Sequence, residues 1–173
     1  MLDAADVVVS EEAVDGAIAR VGREIAAEYR DRYPLVLCVM NGALFFCARL
    51  LPLLRFPLHL DYVHCSRYGD ELHGRSLRWK VEPQEFVKGR HVLVVDDILD
   101  VGETLAAIKD KVLERGAASC KLAVLADKRI GRPKPVVPDF VGLEIPDRFV
   151  FGCGLDAHGS WRNLPAIYAV KGT

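Results

Sequence analysis

The chain has 173 residues, 51% of them hydrophobic and 27% charged, a composition that excludes an intrinsically disordered protein. Its 23 Lys and Arg nearly balance 24 Asp and Glu, giving a net charge of −1, so no global basic field exists to hold nucleic acid. No apolar run approaches the roughly 18 residues of a membrane span, and the N-terminus carries acids where a secretory signal carries bases; the expectation is one cytoplasmic domain, residues 1–173.

Ser10 precedes two acids and a run in which Val14, Ile18, Val21, Ile25 and Tyr29 recur at helical spacing, so a helix capped by Ser10 is expected there. Pro34 then introduces LVLCVM (35–40), a buried strand, and Asn41-Gly42 makes a turn into a helical stretch that lasts until Pro52. Residues 58–66 read as a second strand. Residues 67–82 are polar, mixed in charge and interrupted by Gly69 and Gly74; they read as a long mobile loop with room for a hairpin at its base. HVLVV is a strand, 104–115 a helix closed by Gly116, CKLAVLAD another buried strand, 131–138 irregular, and DFVGLEI a further strand ended by Pro146.

Short apolar strands alternating with helices predict an α/β fold, an open, mostly parallel, doubly wound sheet flanked by helices. In such sheets ligands bind beyond the carboxyl ends of the strands. The five cysteines are odd in number, lack a C-x-x-C pair and sit largely in apolar surroundings, as reduced buried thiols do. The five histidines form no H-x-x-x-H pair, which argues against a structural zinc site.

One segment stands apart: HVLVVDDILDVGETL, residues 91–105. A buried strand runs into Asp96, Asp97 and Asp100, followed by Gly102 and a helix. Like charges repel and raise each other's pKa, so such a cluster needs a reason. Helix N-termini favour an acid or two but do not explain acids at the strand end. Asp96 and Asp97 suit the hydroxyls of a sugar. Residues 100–104 suit a phosphate, because backbone N–H groups converge at a helix N-terminus. Together they point to a ribose phosphate. A prenyl-type D-D-x-x-D lies within a helix and does not fit this context, and no P-loop G-x-x-x-x-G-K-[ST] is present. A receiver-like phospho-acceptor domain would need an acidic pair near the first strand, where LVLCVMNG has none.

HVLVVDDILDVGETL resembles the phosphoribosyl pyrophosphate (PRPP) motif of the type I phosphoribosyltransferases. SRYG (66–69), ADKR (126–129) and PDFVGLEIPDRFVFGCGLD (138–156), with Trp161-Arg162 beyond, are similar to the hypoxanthine-guanine branch of that family. The resemblance spans about residues 36–170 and implies a small hood built from terminal segments above the sheet.

The resemblance also implies roles. Asp96 and Asp97 would hold the ribose hydroxyls of PRPP, and Val101, Gly102, Glu103 and Thr104 would wrap its 5′-phosphate. Asp100 would be catalytic, handling the proton at N7 of the purine. Lys128 would donate to the 6-oxo group, Phe149 would stack on the base and the Val150 backbone would read its edge. Asp156, with Asp96 and Asp97, would serve Mg²⁺, and Arg162 would reach the pyrophosphate. Met40, Asn41 and Gly42 would form the pyrophosphate loop, often with a non-proline cis peptide. Ser66, Arg67, Tyr68 and Gly69 would belong to a closing lid. Two departures stand out: Asn41 replaces a common Lys or Arg, and Val101 replaces a common Ser or Thr. Glu103 is expected to turn its side chain away from the phosphate. The implied activity is purine salvage: transfer of phosphoribosyl from PRPP to hypoxanthine or guanine, by a homodimer or homotetramer with no nucleic-acid or membrane partner. The alternative is a catalytically weak, PRPP- or nucleotide-sensing regulatory protein of the same fold.

Overall fold

The computed structural model describes residues 1–68 and 76–172. Gly69 and Gly74 of the expected lid therefore lie outside the described residues.

Helix α1 (Glu11–Tyr29) starts where the sequence places it. The Ser10 hydroxyl accepts a bond from the Ala13 N–H at 3.2 Å, and Glu11 and Glu12 sit in the first turn, where the helix dipole favours acids. Its Val14, Ile18, Val21, Ile25 and Tyr29 are all buried, the stripe that the spacing predicts. Strand β2 (Leu35–Met40) leads into α2 (Leu44–Leu50), and Pro52 falls in a one-turn 3-10 extension, Leu51–Leu53.

The remaining main-sheet strands are β3 (His59–Tyr68), β4 (Ser76–Val81), β5 (His91–Leu99), β6 (Ser119–Arg129) and β7 (Phe140–Pro146), with α3 (Glu103–Glu114) between β5 and β6. The sheet order is β4-β3-β2-β5-β6-β7. All neighbours are parallel except β3 and β4, an antiparallel edge hairpin. From β2 the chain crosses to β3 on one side, and β5 joins on the other, so the order reverses between β2 and β5. That switch point opens a crevice at their carboxyl ends. Right-handed crossovers leaving in opposite directions put α2 and α3 on opposite faces of the sheet. The walls are dry: Val92, Leu93, Val94 and Val95 of β5 and Leu122, Ala123, Val124, Leu125 and Ala126 of β6 have no exposed surface.

A second sheet, ordered β1-β9-β8, joins β1 (Ala5–Val9) to β9 (Ile167–Val170) and β8 (Val150–Phe151). It is the expected hood, made from both ends of the chain. Arg148 fastens it, donating to Asp6 at 2.8 Å and to the Val170 carbonyl at 2.9 Å.

Two expectations need correction. Much of the segment read as a loop is strand: β3 continues to Tyr68 and pairs with β4 from Tyr68↔Ser76 to His64↔Val81, with an irregularity between His64 and Cys65. The reason is period-2 alternation, since Leu77, Trp79 and Val81 are half-buried while Arg78 and Lys80 are exposed. Strand β5 also outruns its apolar core. It carries Asp96 and Asp97 inside the strand and ends at Leu99, because β6 pairs with it as far as Leu99↔Asp127. All five cysteines are free thiols, four of them buried. Among the described residues no helix is long and apolar enough to cross a membrane.

Candidate active site

The site is assembled at the carboxyl ends of β2, β5 and β6. A cleft of about 230 Å³ is lined there by Met40, Asn41, Gly42, Asp96, Asp97, Asp100, Gly102, Thr104 and Arg162, together with their apolar neighbours. Chain segments far apart in sequence thus meet as expected.

After β2 the Met40–Asn41 peptide is cis. Gly42 then passes against the strand acids. A Cβ at this position would fall on the Asp97 carboxylate, 2.6 Å from Cγ, so only glycine fits without displacing it. Gly154 closes over the same spot at φ +100; a Cβ there would fall on the Gly42 carbonyl and stand 3.5 Å from the Asp97 Cβ.

Asp96 and Asp97 are 7% and 8% exposed. The Asp97 N–H donates to Asp96 Oδ1 at 2.9 Å. Burial, then the neighbouring Asp97 charge, pushes the Asp96 carboxyl well above the ordinary carboxylate range. Burial also raises Asp97, opposed by its bond with Asp96 and by the Arg162 guanidinium, 3.9 Å away. The pair is a buried set of carboxyl oxygens whose ionisation is disfavoured by burial.

Beyond β5, Gly102 caps α3 at φ +92 and, as a glycine, offers no side-chain cap. Gly102, Thr104 and Leu105 border the cleft, so the positive end of a 12-residue helix lies against it. Glu103 is exposed and Val101 half-buried, and neither is on the lining of this cleft.

Lys128, near the end of β6, reaches across to Asp100, with Nζ 3.2 Å from Oδ2 and only 12% of its side chain exposed. It lines an adjoining cavity of about 520 Å³ that shares Leu99 with the first. Asp156 and Arg162 belong to a tightly wound segment in which Gly152, Cys153, Gly154, His158, Gly159 and Trp161 all have positive φ. Arg162 donates to Asp156 Oδ1 and to the Gly154 carbonyl, both at 2.6 Å, so it is held before any ligand arrives.

The structure does not bring Phe149 or Val150 onto the lining of either cavity. Val150 is buried in β8, and Phe149 is 44% exposed, its ring 6.1 Å from the His158 imidazole. Ser66 is half-buried in β3, away from the lining. A half-buried cation escaped the sequence reading. Lys134 donates to the Leu99 carbonyl at 2.8 Å, the Lys128 carbonyl at 2.6 Å and Asp127 Oδ1 at 2.5 Å. Its only sequence signal is its place between Pro133 and Pro135.

Comparison with known proteins agrees with this architecture. The profile of the phosphoribosyl transferase domain matches residues 10–158. The chain is 36% identical over 170 residues to the hypoxanthine-guanine phosphoribosyltransferase of Bacillus subtilis, covering 98% of this chain and 94% of that protein. It is 36% identical over 172 residues to the hypoxanthine-guanine-xanthine phosphoribosyltransferase of Tritrichomonas foetus, covering 99% and 94%. Among solved structures, a point variant of the hypoxanthine phosphoribosyltransferase of Trypanosoma cruzi, in a ternary substrates complex, superposes with a TM-score of 0.89 at 32% identity, covering 98% of this chain and 97% of that one. The chain belongs to the phosphoribosyltransferase family.

Proposed function

We propose that the protein transfers the phosphoribosyl group of PRPP to a 6-oxopurine, hypoxanthine or guanine, releasing pyrophosphate and the nucleoside monophosphate. The observation that carries this is the Asp100–Lys128 pair standing beside the buried Asp96–Asp97 pair. One pair offers an acceptor and a donor to a heterocycle edge; the other offers carboxylates to a diol.

In this reading Asp96 and Asp97 accept hydrogen bonds from the ribose hydroxyls. The first turn of α3, with Gly102 and Thr104, takes the 5′-phosphate. Met40, Asn41 and Gly42 take the pyrophosphate with Arg162. The Asn41 amide supplies a neutral donor where relatives often place a cation. As the bond from the anomeric carbon to pyrophosphate breaks, positive charge develops at that carbon; the buried acids stabilise it electrostatically until the purine nitrogen closes the new bond. Asp100 accepts the N7 proton. Lys128 donates to the 6-oxo oxygen, and a 6-amino group would set donor against donor. Phe149, 44% exposed beside the hood strand β8, would have to meet a bound base from outside the two cavities.

Asp96, Asp97 and Asp156 are hard oxygen donors and fit Mg²⁺. No group of three or more His, Cys, Asp or Glu able to hold a metal occurs among the described residues, so the ion would take further oxygens from the substrate. When bound, Mg²⁺ would neutralise pyrophosphate and make it a better leaving group.

Assembly as a homodimer or homotetramer belongs to the same proposal, supported by Leu44, Leu60 and Tyr62, which are 54%, 54% and 43% exposed on α2 and β3. So does residence in the cytoplasm, supported by five free thiols. The test is nucleotide formation from PRPP with hypoxanthine, guanine and adenine. Hypoxanthine or guanine should be consumed and adenine poorly used; a preference for adenine would overturn the role of Lys128.

A further inference from the structure

The hydrogen-bonded ladder between β5 and β6 ends at Leu99↔Asp127. The residues proposed to do the chemistry, Asp100 and Lys128, lie one step beyond it. Their side chains nevertheless meet at 3.2 Å. Strand β6 runs on beside β7 to Arg129↔Pro146, so it is the end of β5 that must be held to β6 where their shared ladder stops.

Lys134 is placed to do this. It enters from the irregular segment after β6, with 12% of its side chain exposed. Its ammonium has three donors, and all three are used: Leu99 O on β5, Lys128 O on β6 and the Asp127 carboxylate. The first bond fixes the carbonyl just before Asp100, and the second fixes the main chain of Lys128 itself. The stem of Lys134 and the ring of Pro135 also back the phosphate loop, since a Cβ on Gly102 would meet Pro135 Cδ at 3.2 Å and Lys134 Cβ at 3.5 Å. The flanking Pro133 and Pro135 restrict the main chain on both sides of Lys134.

We propose that Lys134 is a positioning residue whose ammonium replaces the next rung of the β5–β6 ladder and fixes the separation of Asp100 and Lys128. The inference rests on the reading above, in which Lys128 meets the 6-oxo group and Asp100 the N7 proton. A purely stabilising Lys134–Asp127 ion pair would behave differently. It would lower thermal stability when broken and leave the kinetics of the folded enzyme unchanged.

The test is a double-mutant cycle. Lys134→Met keeps the stem and removes the three donors. Steady-state kinetics are measured with hypoxanthine and PRPP varied in turn, in the native background and with Lys128→Met. A misplacement near 1 Å at a reacting group costs about 10²-fold, so Lys134→Met should lower kcat/KM for hypoxanthine by about that factor and change KM for PRPP far less. In the Lys128→Met background the same substitution should cost much less, because the residue it acts through is gone. An equal loss in both backgrounds, or native kinetics in Lys134→Met, overturns the proposal. If Lys128→Met alone leaves hypoxanthine kinetics unchanged, the assignment of Lys128 fails and the proposal falls with it; a large Lys128→Met effect with full additivity sinks Lys134 alone. Should Lys134→Met not fold, Asp127→Asn must give the same split in weaker form, since it removes the ammonium's charge partner and leaves both carbonyls. A native profile in that variant also overturns the proposal.

Discussion

Lys128 and Asp100 face each other at 3.2 Å from the ends of adjacent parallel strands, one offering donors and the other an acceptor. Without a base the two charges satisfy each other. A 6-oxopurine inserted between them would take the ammonium at its oxygen and the carboxylate at N7. Asp100→Asn keeps the shape and loses the proton acceptor. Turnover should fall about 10²–10⁴-fold while PRPP affinity stays near the native value. Single-turnover kinetics beside calorimetry with PRPP separate the two effects.

Asp96→Asn should weaken PRPP binding and stabilise the fold. The Asp96 carboxyl has a folded pKa raised above its unfolded value, by burial and by Asp97. Its stabilising contribution is thus complete below the unfolded pKa and is lost as pH rises through the folded one. Above the unfolded pKa the buried carboxyl is a net penalty that Asn removes. The Tm advantage of the variant should be near zero below about pH 4, the unfolded carboxyl value, and grow as pH rises toward the raised folded one; each 1 kcal/mol corresponds to roughly 2–4 °C. Thermal melts across that range check it.

The same raised pKa values predict proton release on PRPP binding. Hydroxyl donors and a cation favour the ionised carboxylates, so the pair should lose protons as the ligand docks, and affinity should rise with pH through the raised pKa. Calorimetry in buffers of different ionisation enthalpy reads the proton count directly.

Gly42→Ala should damage binding of PRPP and pyrophosphate. The new Cβ lands on the Asp97 carboxylate, and Gly154 closes the other side. Overpacking of this kind costs typically about 1–3 kcal/mol, so the melting temperature should fall together with PRPP affinity. As a contrast, Ser10→Ala removes only the cap of α1, costs about 1 kcal/mol and should leave kcat unchanged.

Local signals carried much of the fold. Ser10, the apolar stripe of α1 and the limits of β2 are visible because each depends on neighbours in sequence. The acidic motif is visible because charge inside an apolar strand is costly. The individual hood strands are not: β1 is a short half-buried run, and β8 has two residues whose pairing is with the far end of the chain. The β4 alternation was masked by its Arg and Lys. Lys134 looks like a surface lysine between prolines, and its three acceptors lie on two strands that only the folded sheet brings together.

The most direct measurement is nucleotide formation by the purified protein from PRPP with hypoxanthine, guanine or adenine, in the presence of Mg²⁺. The expected result is inosine or guanosine monophosphate with stoichiometric pyrophosphate, little product from adenine, and loss of turnover in Asp100→Asn. Tight PRPP binding with no nucleotide from any base would contradict the account and leave a sensor built on the same fold.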